Sequence, residues 1–273
     1  MTILVTGATA NIGRKIVDHL VAAGRTDIRA LTTDPERAAL PAGVEAFRGY
    51  VRRPESLAGA FDGVDRLYLA PSADTVTEVL ALARAAGVRH VVDLSGEPES
   101  WWGTVCTAVE NSGMSWTHLW PADFMENTIT WSHQIRATGV VHEPFPDAAT
   151  APIAMDDIAA VATTALLSDS TGNRAYPLSG PEVLTRTDLL DRIATALGRE
   201  LTFAKSSREE TIAALAPTMG DQATWYVDNV LTAYTPDPTT LPLTSVFDIT
   251  GRPATTFATW ATTNTAPFTS LDS

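Results

Sequence analysis

The chain has 273 residues, 45% hydrophobic and 19% charged, so it can close a core without a disulfide or metal staple. Chains of this size bury roughly 75% of their unfolded surface. Nineteen basic against 32 acidic residues leave a formal charge of −13, the wrong sign for gripping nucleic-acid phosphates or an anionic membrane. Cys106 is the single cysteine, which excludes an intramolecular disulfide and suits a reducing compartment. The start lacks a basic leader and no apolar run approaches the ~20 residues of a membrane span, so the expected location is cytoplasmic.

The first 120 residues alternate short apolar runs with helical periodicity. Runs at 3–5, 28–31, 44–47, 66–69, 90–94 and 115–119 lack clean polar alternation, as strands covered on both faces do. Between them, 12–23 puts Ile12, Ile16, His19, Leu20 and Ala23 on one stripe before Gly24, and 74–86 repeats the pattern before Gly87. This alternation predicts an α/β fold with a doubly wound parallel sheet. After Pro121 the texture changes, with more Pro, Thr and Trp. A helix over 155–167 is expected to pack back on the sheet. The run 175–178, a turn at Ser179-Gly180-Pro181 and helices over 185–197, 208–216 and 222–234 predict a smaller, mostly helical C-terminal lobe, followed by a Thr/Pro-rich stretch at 235–244. The expected division is 1–170 and 171–273, with 126–150 contributing to the lobe.

The segment Thr6-Gly7-Ala8-Thr9-Ala10-Asn11-Ile12-Gly13 joins the first strand to the first helix. Small residues there let the backbone turn sharply, approach a pyrophosphate and pack the helix against the strand, while the helix N-terminus offers N–H groups and a positive dipole. Its competing reading is a purely structural turn.

That turn resembles the fingerprint of the atypical short-chain dehydrogenase/reductases, specifically the NmrA-like branch. The resemblance continues through Arg29-Ala30-Leu31-Thr32, Ala86-Gly87-Val88-Arg89-His90-Val91-Val92, Leu94-Ser95-Gly96, Phe124-Met125-Glu126-Asn127, Asp156-Asp157-Ile158-Ala159, Leu178-Ser179-Gly180-Pro181-Glu182 and Thr250-Gly251-Arg252-Pro253. It spans nearly the whole chain and implies a Rossmann domain. Carried over residue by residue, it implies cofactor contacts at Gly7, Thr9, Ala10, Asn11, Ile12, Gly13, Thr32, Thr33, Arg37, Ala70, Pro71, Ser95, Gly96, Pro121 and Phe124. There are departures. Ala10 replaces a glycine, Thr33 stands where NADP-using relatives commonly carry arginine, and Gly49-Tyr50 replaces Gly-Asp. Arg37 could still reach a 2′-phosphate. Neither Thr32 nor Thr33 offers the carboxylate that NAD enzymes set on the ribose diol, which leans the reading to NADP(H) over NAD(H).

Lysine occurs only at 15 and 205. The family's larger group activates the substrate oxygen with a tyrosine and a lysine four residues later. Asn11 and Leu201 occupy the positions four before the lysines, so that dyad is absent. In enzymatic relatives the helix after the fifth strand often carries His and Glu; here Trp102 and Cys106 fall at those places.

Trp101, Trp102, Trp116, Trp120, Phe124 and Trp131 fall within 31 residues, around two strand ends. Ligands of doubly wound sheets lie beyond the strands' carboxyl ends, so Trp102, Trp120, Asn127 and Trp131 are candidate walls of a substrate pocket, against a core-filling reading that suits Trp116 better. Asp123 and His133 are the candidate proton donors; His118 and Asp93 read as structural. The spacing contains no metal-ligand motif.

The leading expectation is an NAD(P)H-dependent oxidoreductase that passes hydride to a small flat quinone-like or carbonyl-bearing acceptor, as monomer or homodimer, with no nucleic-acid or membrane partner. The alternatives are a dinucleotide-sensing protein without chemistry, and an isomerase, cyclase or dehydratase that keeps the fold.

Overall fold

The computed structural model describes residues 1–100, 102–231 and 242–269. Trp101, most of the Thr/Pro-rich stretch and the end of the helix expected over 222–234 lie outside them.

In chain order the elements are β1 (Thr2–Val5), α1 (Asn11–Ala22), β2 (Ile28–Thr32), β3 (Glu45–Arg48), β4 (Val64–Leu69), α2 (Val76–Ala85), β5 (His90–Leu94), α3 (Gly103–Asn111) and β6 (Ser115–Pro121). Next come α4 (Ser132–Ala137), β7 (Val140–Glu143), β8 (Ala149–Thr150), α5 (Met155–Leu167), β9 (Arg174–Leu178), β10 (Leu184–Thr185) and α6 (Arg186–Leu197). The chain continues through β11 (Thr202–Lys205), α7 (Arg208–Met219), α8 (Gln222–Asn229), α9 (Ser245–Thr250), α10 (Phe257–Thr263) and α11 (Ala266–Thr269).

Two compact units emerge. The first comprises 1–121, 155–178 and 245–252; the second comprises 122–154, 179–244 and 253–273. The first is a seven-stranded sheet in the order β3-β2-β1-β4-β5-β6-β9, with every neighbouring pair parallel. This is the doubly wound topology, with its switch point beside β1. On one face Leu4, Leu67, Leu69 and Val91 of the strands pack with Val79 and Leu80 of α2 and Val105 and Val109 of α3. On the other, α1 lies against α5, and the His19 imidazole meets the Asp156 carboxylate at 3.0 Å between them. Burial of both faces of the central strands is why their runs show no polar alternation, while β3 at the edge is largely exposed.

Residues 175–178, read from sequence as part of the lobe, instead form β9, the sheet's seventh strand. The run contains Pro177, which lacks an N–H; a sheet edge tolerates it, and β9 is an edge paired only with β6. The boundary accordingly falls after Leu178 rather than after 170, and 245–252 returns to the first unit.

The second unit is mostly helical, with two short ladders, β7 with β11 and β8 with β10. Its core gathers Trp131, Ile135, Val141, Leu189, Leu190, Phe257 and Trp260. Within it the buried Glu143 accepts from Arg186 Nη2 at 2.8 Å and from Trp131 Nε1 at 2.6 Å, and the Arg186 guanidinium lies 4.8 Å from the Trp131 ring. Thr185 caps α6 through a capping box with Asp188, so the helix begins one residue later than its periodicity suggests.

Candidate functional site

The turn after β1 builds a cradle. Gly7 adopts φ +60°, a left-handed conformation that side-chain-bearing residues rarely take. Thr6 Oγ1 accepts from the Ala70 N–H at 2.8 Å and donates to the Tyr68 carbonyl at 3.0 Å, tying the carboxyl ends of β1 and β4 together. The Ala8 N–H reaches the Leu31 carbonyl at 3.2 Å, securing the turn to β2. Ala10 is the N-cap of α1 and supplies no side-chain cap; its own N–H donates to the Gly7 carbonyl at 2.8 Å, and no side-chain oxygen caps the first-turn N–H groups that follow. Such a terminus suits an anion.

Beside it lies a cavity of about 290 Å³. Gly7, Thr9 and Ala10 of the turn, Thr32 and Thr33 at the end of β2, and Ala70 and Pro71 after β4 border it, residues the resemblance implied as cofactor contacts. Asn11 is exposed at the start of α1, while Ile12 and Gly13 are buried and pack the helix onto the turn. Arg37 does not border the cavity: its side chain is 90% exposed and lies 3.9 Å from Asp34. The cation that does is Arg52, with Tyr50 beside it on the loop after β3. Arg48 also donates to the Thr33 carbonyl, at 2.9 Å. Arg52 went unnoticed in the sequence because no spacing rule ties this loop to the end of β2; parallel pairing of β2 with β3 brings the two together.

A phosphate-bearing dinucleotide fits this arrangement. The left-handed glycine, the tight Gly7–Gly13 approach, the helix terminus without a side-chain cap and an arginine bordering the cavity supply its features, and among the described residues no carboxylate borders the cavity.

Further along the carboxyl edge, Ser95 is buried and Gly96 half-buried after β5, and Pro121 ends β6. Trp120 is half-buried with its indole N–H enclosed and unpartnered, and Trp102 is 38% exposed at the N-terminus of α3. In the second unit, Asn127 Nδ2 donates to Asp123 Oδ1 at 2.5 Å, and the Asp123 carbonyl receives the Ile153 N–H at 2.8 Å. Phe124 follows, bridged to Ile153. His133 is exposed on α4 and takes no part in that pair. Trp131 is not a pocket wall: it is 0% exposed, its N–H is taken by Glu143, and it fills the second unit's core.

Where enzymatic relatives often carry His and Glu, α3 holds Cys106, which faces a buried pair. His118 of β6 lies beside Asp93 of β5 in register, and its Nδ1 stands 2.6 Å from Asp93 Oδ2, both side chains being 0% exposed. Burial, opposed by the imidazole, holds the Asp93 carboxyl above the usual range. The imidazole is stacked on Trp116 at 4.1 Å and Trp120 at 6.2 Å between centroids, the alternate-residue face of one strand. Cys106 and Glu110 of α3 approach the same imidazole. Burial, then the negative charges of Glu110, Asp93 and Glu99, push the Cys106 thiol up to about 11, so it is no free nucleophile. Burial likewise raises the hydroxyls of Tyr68 and Tyr226, which leaves neither as a ready phenolate.

A parallel sheet in this order, carrying a glycine turn and an adjoining cavity at its switch point, defines the dinucleotide-binding Rossmann class of fold. A family model described as NAD(P)H-binding matches residues 7–97. The chain is 34% identical to a (4-alkanoyl-5-oxo-2,5-dihydrofuran-3-yl)methyl phosphate reductase of Streptomyces griseus, over 97% of this chain and 99% of the relative. It is 32% identical to an NAD(P)H azoreductase of Xenophilus azovorans, over 97% and 99%. An NADPH-dependent quinone oxidoreductase from Escherichia coli, solved with NADPH, shares the fold with a TM-score of 0.83 at 23% identity, over 96% of this chain and 99% of that one. The chain belongs to the NmrA-like atypical short-chain dehydrogenase/reductases and is an NAD(P)-dependent oxidoreductase that uses NADP(H) or NAD(H). Among the described residues no helix is long and apolar enough to cross a membrane.

Proposed function

We propose that this protein is an NADPH-preferring reductase of small, flat, electron-poor acceptors, of the quinone, azo and conjugated-carbonyl kind. The observation that carries the cofactor preference is Arg52 at the cavity bordered by Thr32 and Thr33, where a carboxylate would select the unphosphorylated ribose. When bound, the dinucleotide supplies a hydride. The chain's own part is to hold it: the turn's amides take the pyrophosphate and Arg52 meets the 2′-phosphate.

Acceptors of this kind need little acid catalysis, because reduction leaves a stabilised anion that water protonates. That matches a chain without the tyrosine–lysine dyad, with Asp123 held by Asn127 and His133 exposed. The named activities of the curated relatives, on a furanone and on azo compounds, support the same acceptor class.

The experiment is to follow NADPH and NADH oxidation against benzoquinones, naphthoquinones, an azo dye and a conjugated furanone. Turnover with at least one acceptor, faster with NADPH, is expected. Asp123→Asn and His133→Ala should each retain more than about a tenth of the rate, since a true general acid contributes roughly 10²–10⁴-fold. No turnover across the panel, despite tight NADPH binding, would leave a non-catalytic sensor as the better reading.

A further inference from the structure

We propose that Cys106, Glu110 and His118 form a binding site for one thiophilic divalent cation of the zinc class, which clamps α3 to β6. The residues come from two elements of the first unit, α3 and β6, and none borders the cavity by the glycine turn. Cys106 and Glu110 are four apart on α3, which sets them one turn apart on the same helix face. His118 projects from β6, and one ligand atom from each residue, sulfur, nitrogen and carboxylate oxygen, lies within 4.8 Å of the other two.

Zinc bound at about 2.0–2.3 Å to such atoms requires them to stand roughly 3.5 Å apart in a tetrahedron. His118 Nε2 and Glu110 Oε1 are already 3.7 Å apart. The Glu110 side chain, 46% exposed, can close its share by rotation, and the Cys106 sulfur, within 4.8 Å of both atoms, has at most about 1.3 Å to close. The same exposure gives the ion an entry path.

The imidazole supplies the second, independent sign. His118 Nε2 is enclosed in a fully buried side chain and has no hydrogen-bond partner, a state costly for a polar atom and rare in folded proteins. Its other nitrogen is engaged: Nδ1 stands 2.6 Å from Asp93 Oδ2, and with the proton on Nδ1 donated to that carboxylate the Nε2 lone pair faces Cys106 and Glu110. A buried carboxylate on the far nitrogen is the arrangement by which proteins orient a metal-bound histidine. Mixed sulfur, nitrogen and oxygen donors favour zinc over magnesium or calcium, which prefer all-oxygen shells. Three protein ligands leave a fourth position for water.

The test uses the full-length protein, stripped with chelator and titrated with cobalt(II), then zinc. One equivalent of cobalt should produce a thiolate-to-metal charge-transfer band that zinc abolishes. Cys106 is the only cysteine in the sequence, so that band can arise nowhere else. Cys106→Ser should remove it. Glu110→Gln, at a half-exposed side chain, should weaken zinc binding at least about tenfold, and Asp93→Asn by about 10–100-fold. Because these readings include the unaltered protein, an unstable variant does not spoil them. Absence of the band, or a band and affinity unchanged by Glu110→Gln, would overturn the proposal and leave Asp93–His118 as a buried pair only. Zinc uptake without a cobalt–thiolate band would do the same, since it would lie on other histidines.

Discussion

Gly13 stands so close to Gly7 that a Cβ on Gly13 would lie 2.2 Å from the Gly7 carbonyl oxygen. That contact locks the first helix onto the turn and fixes where its amides point. Gly13→Ala must therefore displace backbone, not a side chain, at about 1–3 kcal/mol of overpacking strain. The expected result is a fall in Tm and a loss of NADPH affinity of tenfold or more, measured by calorimetry. An unchanged affinity would mean that the turn is not the phosphate cradle.

Arg52 and Arg37 offer a direct contest. Only Arg52 borders the cavity, so Arg52→Ala should weaken NADPH binding by roughly tenfold or more while moving NADH little, the worth of a charge-assisted contact of about 1.5–3 kcal/mol. Arg37→Ala should leave both affinities unchanged. If Arg37→Ala erases the NADPH preference instead, the loop after β2 reorganises around the cofactor.

His90 should make the fold acid-sensitive. Burial, then the positive charge of Arg66, lower its pKa from 6.5 to about 4, against an opposing pull from Asp169. The imidazole sits neutral between Ser115 Oγ at 3.1 Å and Thr117 Oγ1 at 3.2 Å. Above pH 6.5 it is neutral in both states and costs nothing. As pH falls from about 6.5 to about 4 the unfolded chain binds the proton and the folded one resists, so stability falls by roughly 2–3 kcal/mol. Urea melts across that range should record the loss, and His90→Gln should flatten it.

The buried Glu143–Arg186 pair predicts a pattern across variants. Glu143 is 0% exposed and accepts from both Arg186 and Trp131. Glu143→Ala strips the carboxylate from a buried guanidinium and from the Trp131 N–H and should cost about 3–5 kcal/mol. Pairing Glu143→Leu with Arg186→Met should recover most of it, and denaturant unfolding distinguishes the two cases. A double variant as unstable as the single would point to lost packing around Trp131.

The architecture was largely legible in the chain. Six apolar runs became the six strands from β1 to β6, and the central ones among them are legible because a strand buried on both faces announces itself by unbroken hydrophobicity, whereas β3 is a largely exposed edge strand. The seventh escaped, since the four residues read there, 175–178, include a proline and resemble a lobe segment until they are seen paired along β6. The glycine turn was equally clear, being a local device whose residues are consecutive. Arg52 was not, and Trp131 was misread as a pocket wall, since neither exposure nor a partner such as Glu143 is encoded in spacing.

Residues close along the chain therefore determined the class: a phosphate-binding turn, alternating strands and helices, an acidic composition, and two lysines placed where no tyrosine can use them. The tertiary structure decided which of several arginines meets the cavity, which tryptophan is core, and that Cys106, Glu110 and His118 converge over Asp93. The reason is physical. Turns and periodicity are short-range consequences of backbone geometry, whereas burial and convergence depend on how strands far apart in sequence come to lie side by side.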